Sequence, residues 1–263
     1  MLVAMGSLAG VMAGLLGIGG GALIVPVLVI VFEAQGVNPG VIMQAALGTS
    51  LATIVFTAIS SIVAHHRRGA VNWMIFRQIA PGIVVGTLAG SFIADALATQ
   101  TLKIMFVIFM FAVAAQMSRG TMAISAHATR LPGLAGMNAT GGIIGVASTL
   151  FGIGGGSLSV PFMTWCGISA KQAVATAAAI GLPIAVSGAV GYFLAGLNEP
   201  GLPPWSVGYI VLPAFAGIVV ASTLAAPFGA TLAHRLSDAT LRRIFAVFVT
   251  LLGLRMLWSV LKG

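Results

Sequence analysis

The stretch that decides the fold occurs twice: residues 16–26 read LGIGGGALIVP, and residues 151–161 read FGIGGGSLSVP. Eight of the eleven positions are identical, and the second copy follows the first by 135 residues (16 to 151). Weaker matches continue along the chain, with offsets that change only across expected loops: residues 46–49 with 173–176, Gly69 with Gly196, Pro81 with Pro213, and residues 101–103 with 240–242. Self-similarity of this kind indicates a repeated architecture. We therefore predict two homologous halves, residues 1–131 and 132–263.

The composition places the chain in a membrane. Of 263 residues, 59% are hydrophobic and 6% are charged, and the mean hydropathy is +1.11. A soluble domain carries about 25% charged residues, and several uncharged runs here exceed the roughly 18 residues that indicate a transmembrane helix. Lys and Arg outnumber Asp and Glu by 12 to 4, but they lie at the ends of apolar segments, where they set orientation and meet lipid headgroups. We predict an all-α, multi-pass protein of the bacterial inner membrane that contacts the lipid bilayer and binds no nucleic acid.

Each half contains four hydrophobic segments. They are predicted at residues 2–32, 39–64, 71–94 and 101–116 in the first half, and at 134–165, 171–195, 205–234 and 240–261 in the second. The leading segments are too long for one upright helix of about 20 residues. A glycine cluster interrupts each of them, and each helical Gly costs about 0.8–1 kcal/mol relative to Ala. We expect each leading segment to be either a broken spanning helix or a re-entrant pair of half-helices.

The positions of Lys and Arg distinguish these two topologies, because cytoplasmic flanks carry the excess of positive charge. If the leading segments span, the two halves share one orientation, and the basic residues divide seven to five between the two sides. If the leading segments are re-entrant, the halves are inverted, and the division is nine to three, with Lys103, Arg255 and Lys262 on the minor side. We favour inverted repeats, each with a glycine-broken re-entrant helix and three transmembrane helices, and both termini in the periplasm.

The glycine clusters also predict where a small anion binds. A glycine cluster before a helix leaves backbone N–H groups free at the positive end of the helix dipole, which favours an anion. Inverted symmetry would bring the two clusters together near the middle of the membrane, with helix starts near Ala22 and Ser157. Hydroxyl groups of the second segments are further donors. The predicted substrate-binding residues are Gly17, Gly19, Gly20, Gly21, Ala22, Thr49 and Ser50 in the first half, and Gly152, Gly154, Gly155, Gly156, Ser157 and Thr176 in the second.

Two structural interpretations compete with this site. Glycine lets transmembrane helices approach closely, which accounts for scattered residues such as Gly86, Gly90, Gly141 and Gly145. It accounts less well for two identical five-residue clusters, because such packing favours Gly at every fourth position. A Ser or Thr hydroxyl can alternatively bond to the i−4 carbonyl of its own helix. For each of the three hydroxyl residues, both interpretations stay open.

The remaining polar residues restrict the chemistry. All four acidic residues fall at predicted helix ends or in loops, which disfavours a cation as substrate and a carboxylate proton relay. The single cysteine, Cys166, has no Cys or His neighbour at metal-ligand spacing. No nucleophile and base occur at the spacing of an enzyme family. We therefore predict no catalytic residue, no metal, no cofactor and no enzymatic activity.

The paired GIGGGxLxVP motifs resemble those of the TauE/SafE family of sulfite and anion permeases, and residues 46–50 (ALGTS) and 173–176 (AVAT) agree with it. The resemblance covers essentially the whole chain. It implies a secondary carrier that exports sulfite or an organosulfonate by alternating access, with the glycine clusters, Thr49 and Thr176 at the motif positions. The second half has Ala177 where the first has Ser50, so any role of that hydroxyl is restricted to one half. An anion channel, or a permease for another small organic anion, is the alternative, and a second copy of the chain in a homodimer is a further candidate partner.

Overall fold

The computed structural model describes residues 21–118, 131–233 and 238–262, so the predicted residues Gly17, Gly19 and Gly20 lie outside the described chain. Within the described residues the chain forms nine α-helices and one β-hairpin. In chain order these are α1 (Gly21–Ala34), α2 (Ile42–Arg67), α3 (Trp73–Ala96), α4 (Thr99–Ser118), α5 (Leu134–Leu150), α6 (Gly156–Trp165), α7 (Ala170–Ala195), β1 (Ser206–Val207), β2 (Ile210–Val211), α8 (Leu212–Ala233) and α9 (Asp238–Lys262).

Four of the described helices are long and apolar enough to cross a membrane. They are α2, α3, α7 and the first 18 residues of α4. Large apolar side chains cover their outer surfaces; Val85 is 70% exposed and Ile108 is 64% exposed. Soluble proteins rarely expose continuous apolar surface, whereas lipid accommodates it. The predicted class, a mainly helical membrane protein with several spans, is therefore confirmed.

The glycine cluster of the second half breaks its leading segment at the predicted place. Helix α5 ends at Leu150 after 17 residues, and α6 begins at Gly156, one residue before the expected start, and continues for 10 residues. The predicted segment 134–165 therefore consists of two helices. The corresponding break in the first half lies outside the described residues, because α1 is described from Gly21 onwards.

The predicted helical segment at residues 205–234 is wrong at its start. Residues 206–211 form the β1–β2 hairpin, with Ser206 opposite Val211, and α8 begins only at Leu212. Gly208 has φ +56° in the two-residue turn, a conformation that favours glycine. The backbone N–H of Tyr209 donates to the carbonyl oxygen of Tyr192 at 3.2 Å, which attaches the hairpin to the last turns of α7.

Helices α3 and α5 run in the same direction with their backbones in direct contact. Glycines at every fourth position of α3 face successive turns of α5: Gly82 faces Asn138, Gly86 faces Gly142, and Gly90 faces Val146. A side chain added at Gly86 would overlap the carbonyl oxygen of Gly142. Side chains added at Gly141 and Gly145 would likewise meet the backbone of α3. The packing interpretation of these scattered glycines is therefore confirmed.

Helix α7 also runs in the same direction as α3. The backbone N–H of Asn72, at the start of α3, donates to Thr176 in the second turn of α7, and Thr87 contacts Ser187 farther along both helices. Helices α5 and α7 are consequently parallel, and α6 lies between them in the sequence. Since α7 begins at the end of the bundle where α5 also begins, α6 brings the chain back toward that end.

The helices of the second hydrophobic segment in each half, α2 and α7, pack antiparallel at the centre of the molecule. A side chain added at Gly48 would lie 3.0 Å from Cβ of Tyr192, whereas one added at Gly188 would lie 2.8 Å from Leu51. As the residue number increases along α2, the number of the contacted residue in α7 thus decreases. The division of the chain into inverted repeats stays a prediction, which this antiparallel pair supports.

A buried ion pair connects both halves at one end of the bundle. Lys103 Nζ on α4 donates to Glu33 Oε1 at the end of α1, at 2.9 Å, and to Ser259 Oγ on α9, at 3.1 Å. Arg255 on α9 lies 3.5 Å from the other carboxylate oxygen of Glu33. The start of α4 therefore meets the end of α9, so the helices of the fourth hydrophobic segments are also antiparallel.

Candidate anion-binding site

The loop between α5 and α6 starts with a tightly bonded helix end. The backbone N–H of Gly152 donates to the carbonyl oxygen of Thr149 at 3.2 Å, and that of Ile153 donates to Ser148 at 3.0 Å. Gly152 has φ +58°, the left-handed conformation with which many helices terminate. The N–H groups of Gly152 and Ile153 are therefore occupied and are not available to a ligand.

The next five backbone N–H groups, those of residues 154–158, have no hydrogen-bond partner within the described chain. The first bond of α6 is formed by Ser159, whose N–H donates to Gly155 at 3.0 Å. The N–H groups at the start of a helix point outward along its axis and carry about half a positive charge. Such a helix start favours an anion, and the predicted anion site at the start of α6 stays a prediction.

The glycines at this helix start have different surroundings. Among the described residues, a Cβ added at Gly154 would meet Ile54 alone, at 3.6 Å, which is an ordinary contact distance. One added at Gly155 would lie 2.6 Å from the carbonyl oxygen of Ala177 and 2.9 Å from the nitrogen of Gly181 on α7. Gly155 therefore serves the packing of α6 on α7, whereas Gly154 has no such backbone contact within the described chain.

The ends of the two glycine clusters are in contact. A side chain added at Gly21 would lie 2.5 Å from the carbonyl oxygen of Gly152 and 2.9 Å from Cα of Ile153. The hydroxyl of Ser50 donates to the same carbonyl oxygen of Gly152 at 2.9 Å. Ala22 follows Gly21 in the first turn of the described α1. The structure thus brings Gly21, Ser50 and Gly152 together, and the Ser50 hydroxyl supports the loop rather than a carbonyl of its own helix.

The predicted hydroxyls of Thr49 and Thr176 lie elsewhere and accept hydrogen bonds. Both residues are fully buried. Thr49 Oγ1 accepts from the backbone N–H of Val211 at 3.0 Å, and Thr176 Oγ1 accepts from that of Asn72, also at 3.0 Å. Each threonine therefore fixes the start of a helix in the other half. A hydroxyl that accepts one bond keeps its hydrogen for a donor bond, so the substrate contact of each threonine stays a prediction.

Two serines beside the loop were not predicted from the sequence. Ser148 in the last turn of α5 and Ser159 in the first turn of α6 are fully buried, and neither hydroxyl has a hydrogen-bond partner. The sequence does contain a signal, because the positions 135 residues earlier are Ala13 and Ile24. A hydroxyl in only one of two otherwise similar motifs indicates a difference between the halves.

The segment that contains the loop carries no charged side chain. No charged residue occurs between Arg130 and Lys171. Among the described residues, no group of three or more His, Cys, Asp and Glu side chains is placed to hold a metal ion. The donors that this segment offers to an anion are therefore backbone N–H groups and hydroxyls.

A comparison with protein families agrees with this architecture. The family model described as sulfite exporter TauE/SafE matches residues 2–256. The chain belongs to the sulfite exporter TauE/SafE family. The family predicted from the paired glycine motifs is therefore confirmed.

Curated relatives of this TauE/SafE protein match along almost its whole length. It is 38% identical over 254 residues to a probable membrane transporter protein of Haemophilus influenzae, with 95% of each chain covered. Proteins of the same description in Methanocaldococcus jannaschii (28% identical; 98% of this chain and 94% of the relative) and Xylella fastidiosa (30%; 96% and 92%) match similarly. No solved structure matches this chain. This TauE/SafE protein is thus a membrane transporter.

Proposed function

We propose that this protein is a secondary carrier that exports a small sulfur-containing oxyanion, such as sulfite or an organosulfonate, across the bacterial inner membrane by alternating access. The observation that carries the proposal is the set of unpaired backbone N–H groups at the start of α6. An oxyanion loses its water on entering the membrane, and these N–H groups replace the lost hydrogen bonds.

The directions of the helices support alternating access. Transporters with inverted repeats bind substrate at half-helix ends near the middle of the membrane and rock one repeat against the other. Here α5 and α6 enter and leave at the same end of the bundle, as a re-entrant segment does. The contact of Gly21 with Gly152 joins one end of each glycine cluster, which supports a site at the boundary between the proposed repeats. Movement of one repeat would therefore open or close the site.

Counterflow in proteoliposomes tests this function. Vesicles are loaded with unlabelled sulfite, and the uptake of labelled sulfite is followed without sodium. We expect saturable uptake by the wild type. Gly154→Leu places a side chain beside the free N–H groups, at a position where an added Cβ meets no backbone of the described chain within 4 Å, and should reduce uptake by at least about tenfold, equivalent to about 1.4 kcal/mol.

Gly217→Leu on α8 is the matched control, because a side chain added at Gly217 meets nothing within 4 Å. This variant should transport like the wild type. Linear, non-saturating anion flux would show a channel instead of a carrier. A strict sodium requirement would contradict the expected uptake without sodium, and full activity of Gly154→Leu would exclude the start of α6 as the substrate site.

A further inference from the structure

We propose that the hydroxyls of Ser148 and Ser159 bind the substrate as donors beside the N–H groups of α6. The inference rests on the proposed function and assigns two further binding residues to it.

The two hydroxyls are exceptional within the described chain. Buried polar side chains almost always have a hydrogen-bond partner. Only three buried side-chain oxygens among the described residues have none, those of Ser148, Ser159 and Ser206. The first two flank one loop of five residues between α5 and α6. A ligand in that loop would supply the missing partner to both.

Both serines adjoin the free N–H groups along the chain. Side chains on a helix lean toward its N-terminus, so the hydroxyl of Ser159 leans toward the start of α6. Ser148 is tied to the loop through its backbone, because its carbonyl oxygen accepts the N–H of Ile153 at 3.0 Å. Ser159 thus extends the donor set of residues 154–158, and Ser148 lies where the loop begins.

The first half has no equivalent of this arrangement. The residues 135 positions before Ser148 and Ser159 are Ala13 and Ile24, and Ile24 is a buried apolar residue of α1. The two glycine motifs therefore share their glycines in sequence but differ in hydroxyl donors. The two proposed donors consequently belong to the second half alone.

Binding measurements on purified wild-type protein and single variants test the inference. The probe is methanesulfonate, a monoanion at all accessible pH values. Ser148→Ala and Ser159→Ala should each weaken methanesulfonate binding by about tenfold. The matched control is Ser206→Ala, which removes an equally unpaired hydroxyl from the β1–β2 hairpin and should change binding by less than about twofold.

Thermal unfolding without ligand separates binding from folding. Removing an unpaired buried hydroxyl should leave the unfolding temperature equal to or above that of the wild type. If an Ala variant fails to fold, Ser148→Cys and Ser159→Cys keep nearly the same volume with a weak donor, and they should show the same loss of affinity.

Wild-type affinity in both serine variants would overturn the inference while leaving the proposed function intact. A wild-type protein that binds neither methanesulfonate nor sulfite would reject the proposed function itself.

Discussion

The hydroxyl of Thr49 accepts a hydrogen bond from the backbone N–H of Val211 at 3.0 Å, although the two residues are 162 positions apart. Thr176 accepts the corresponding bond from Asn72. Val211 immediately precedes α8, and Asn72 immediately precedes α3. In each half, one threonine thus holds the start of the helix that forms the third hydrophobic segment of the other half. This exchanged pair of bonds links the halves at two separate points.

Thr49→Val and Thr176→Val should each destabilise the protein. Valine keeps the shape of threonine but leaves a backbone N–H without its acceptor, which costs about 1–3 kcal/mol where the group is buried. The measurement is the thermal unfolding temperature in detergent. Thr49→Ser and Thr176→Ser keep the hydroxyl and should retain most of the stability. Valine variants as stable as the wild type would show that these bonds contribute nothing to the folded state.

Two glycines at the same helix contact should respond oppositely to alanine. Gly86→Ala pushes a methyl group into the backbone of α5 and should lower stability by about 1–3 kcal/mol. At Gly142 the nearest atom to an added methyl group is the carbonyl oxygen of Gly82, at 3.8 Å. Gly142→Ala should therefore be neutral, or stabilising by up to about 1 kcal/mol through helix propensity. Equal effects of the two changes would contradict the packing of α3 on α5.

Glu33→Gln should destabilise the end of the bundle where α1, α4 and α9 meet. It leaves the ammonium group of Lys103, whose side chain is 9% exposed, without its carboxylate, and breaking such a pair costs up to about 3–5 kcal/mol. The double variant Glu33→Gln/Lys103→Met removes both charges and should recover much of the loss. Thermal unfolding of the single and double variants checks this expectation. A double variant that unfolds at a lower temperature than both the single variant and the wild type would contradict the expectation.

Cysteine labelling tests whether α5 and α6 form a re-entrant segment. In a Cys166→Ser background, cysteines placed at the exposed positions Gly133, Ala170 and Asn198 are treated with a membrane-impermeant maleimide in oriented vesicles. We expect Gly133→Cys and Ala170→Cys to react from one side, and Asn198→Cys from the opposite side. Labelling of the first two from opposite sides would instead show that the leading segment spans the membrane.

The helix breaks and the close helix contacts could be predicted from the sequence because their causes are local. Clustered glycines are costly in a helix, and the second cluster does separate α5 from α6 between Leu150 and Gly156. Glycines at every fourth position favour helix packing, and Gly82, Gly86 and Gly90 do face α5.

Features that depend on distant partners could not be predicted. The β1–β2 hairpin lies in an apolar run that has the composition of a helix, and its position depends on contacts with α2 and α7. The acceptor role of Thr49 requires knowledge of where Val211 lies. The serines beside the loop carried a signal in the comparison of the two motifs, but their lack of partners is a property of the packed structure.

The most direct measurement is the location of a bound oxyanion in a crystal of the wild-type protein soaked with selenite, whose selenium gives an anomalous signal. If the N–H groups at the start of α6 hold the substrate, the selenium peak will lie beside residues 154–158, with its oxygens at hydrogen-bond distance from the backbone nitrogens. A peak bound elsewhere, with the start of α6 covered by neighbouring side chains, would contradict the account.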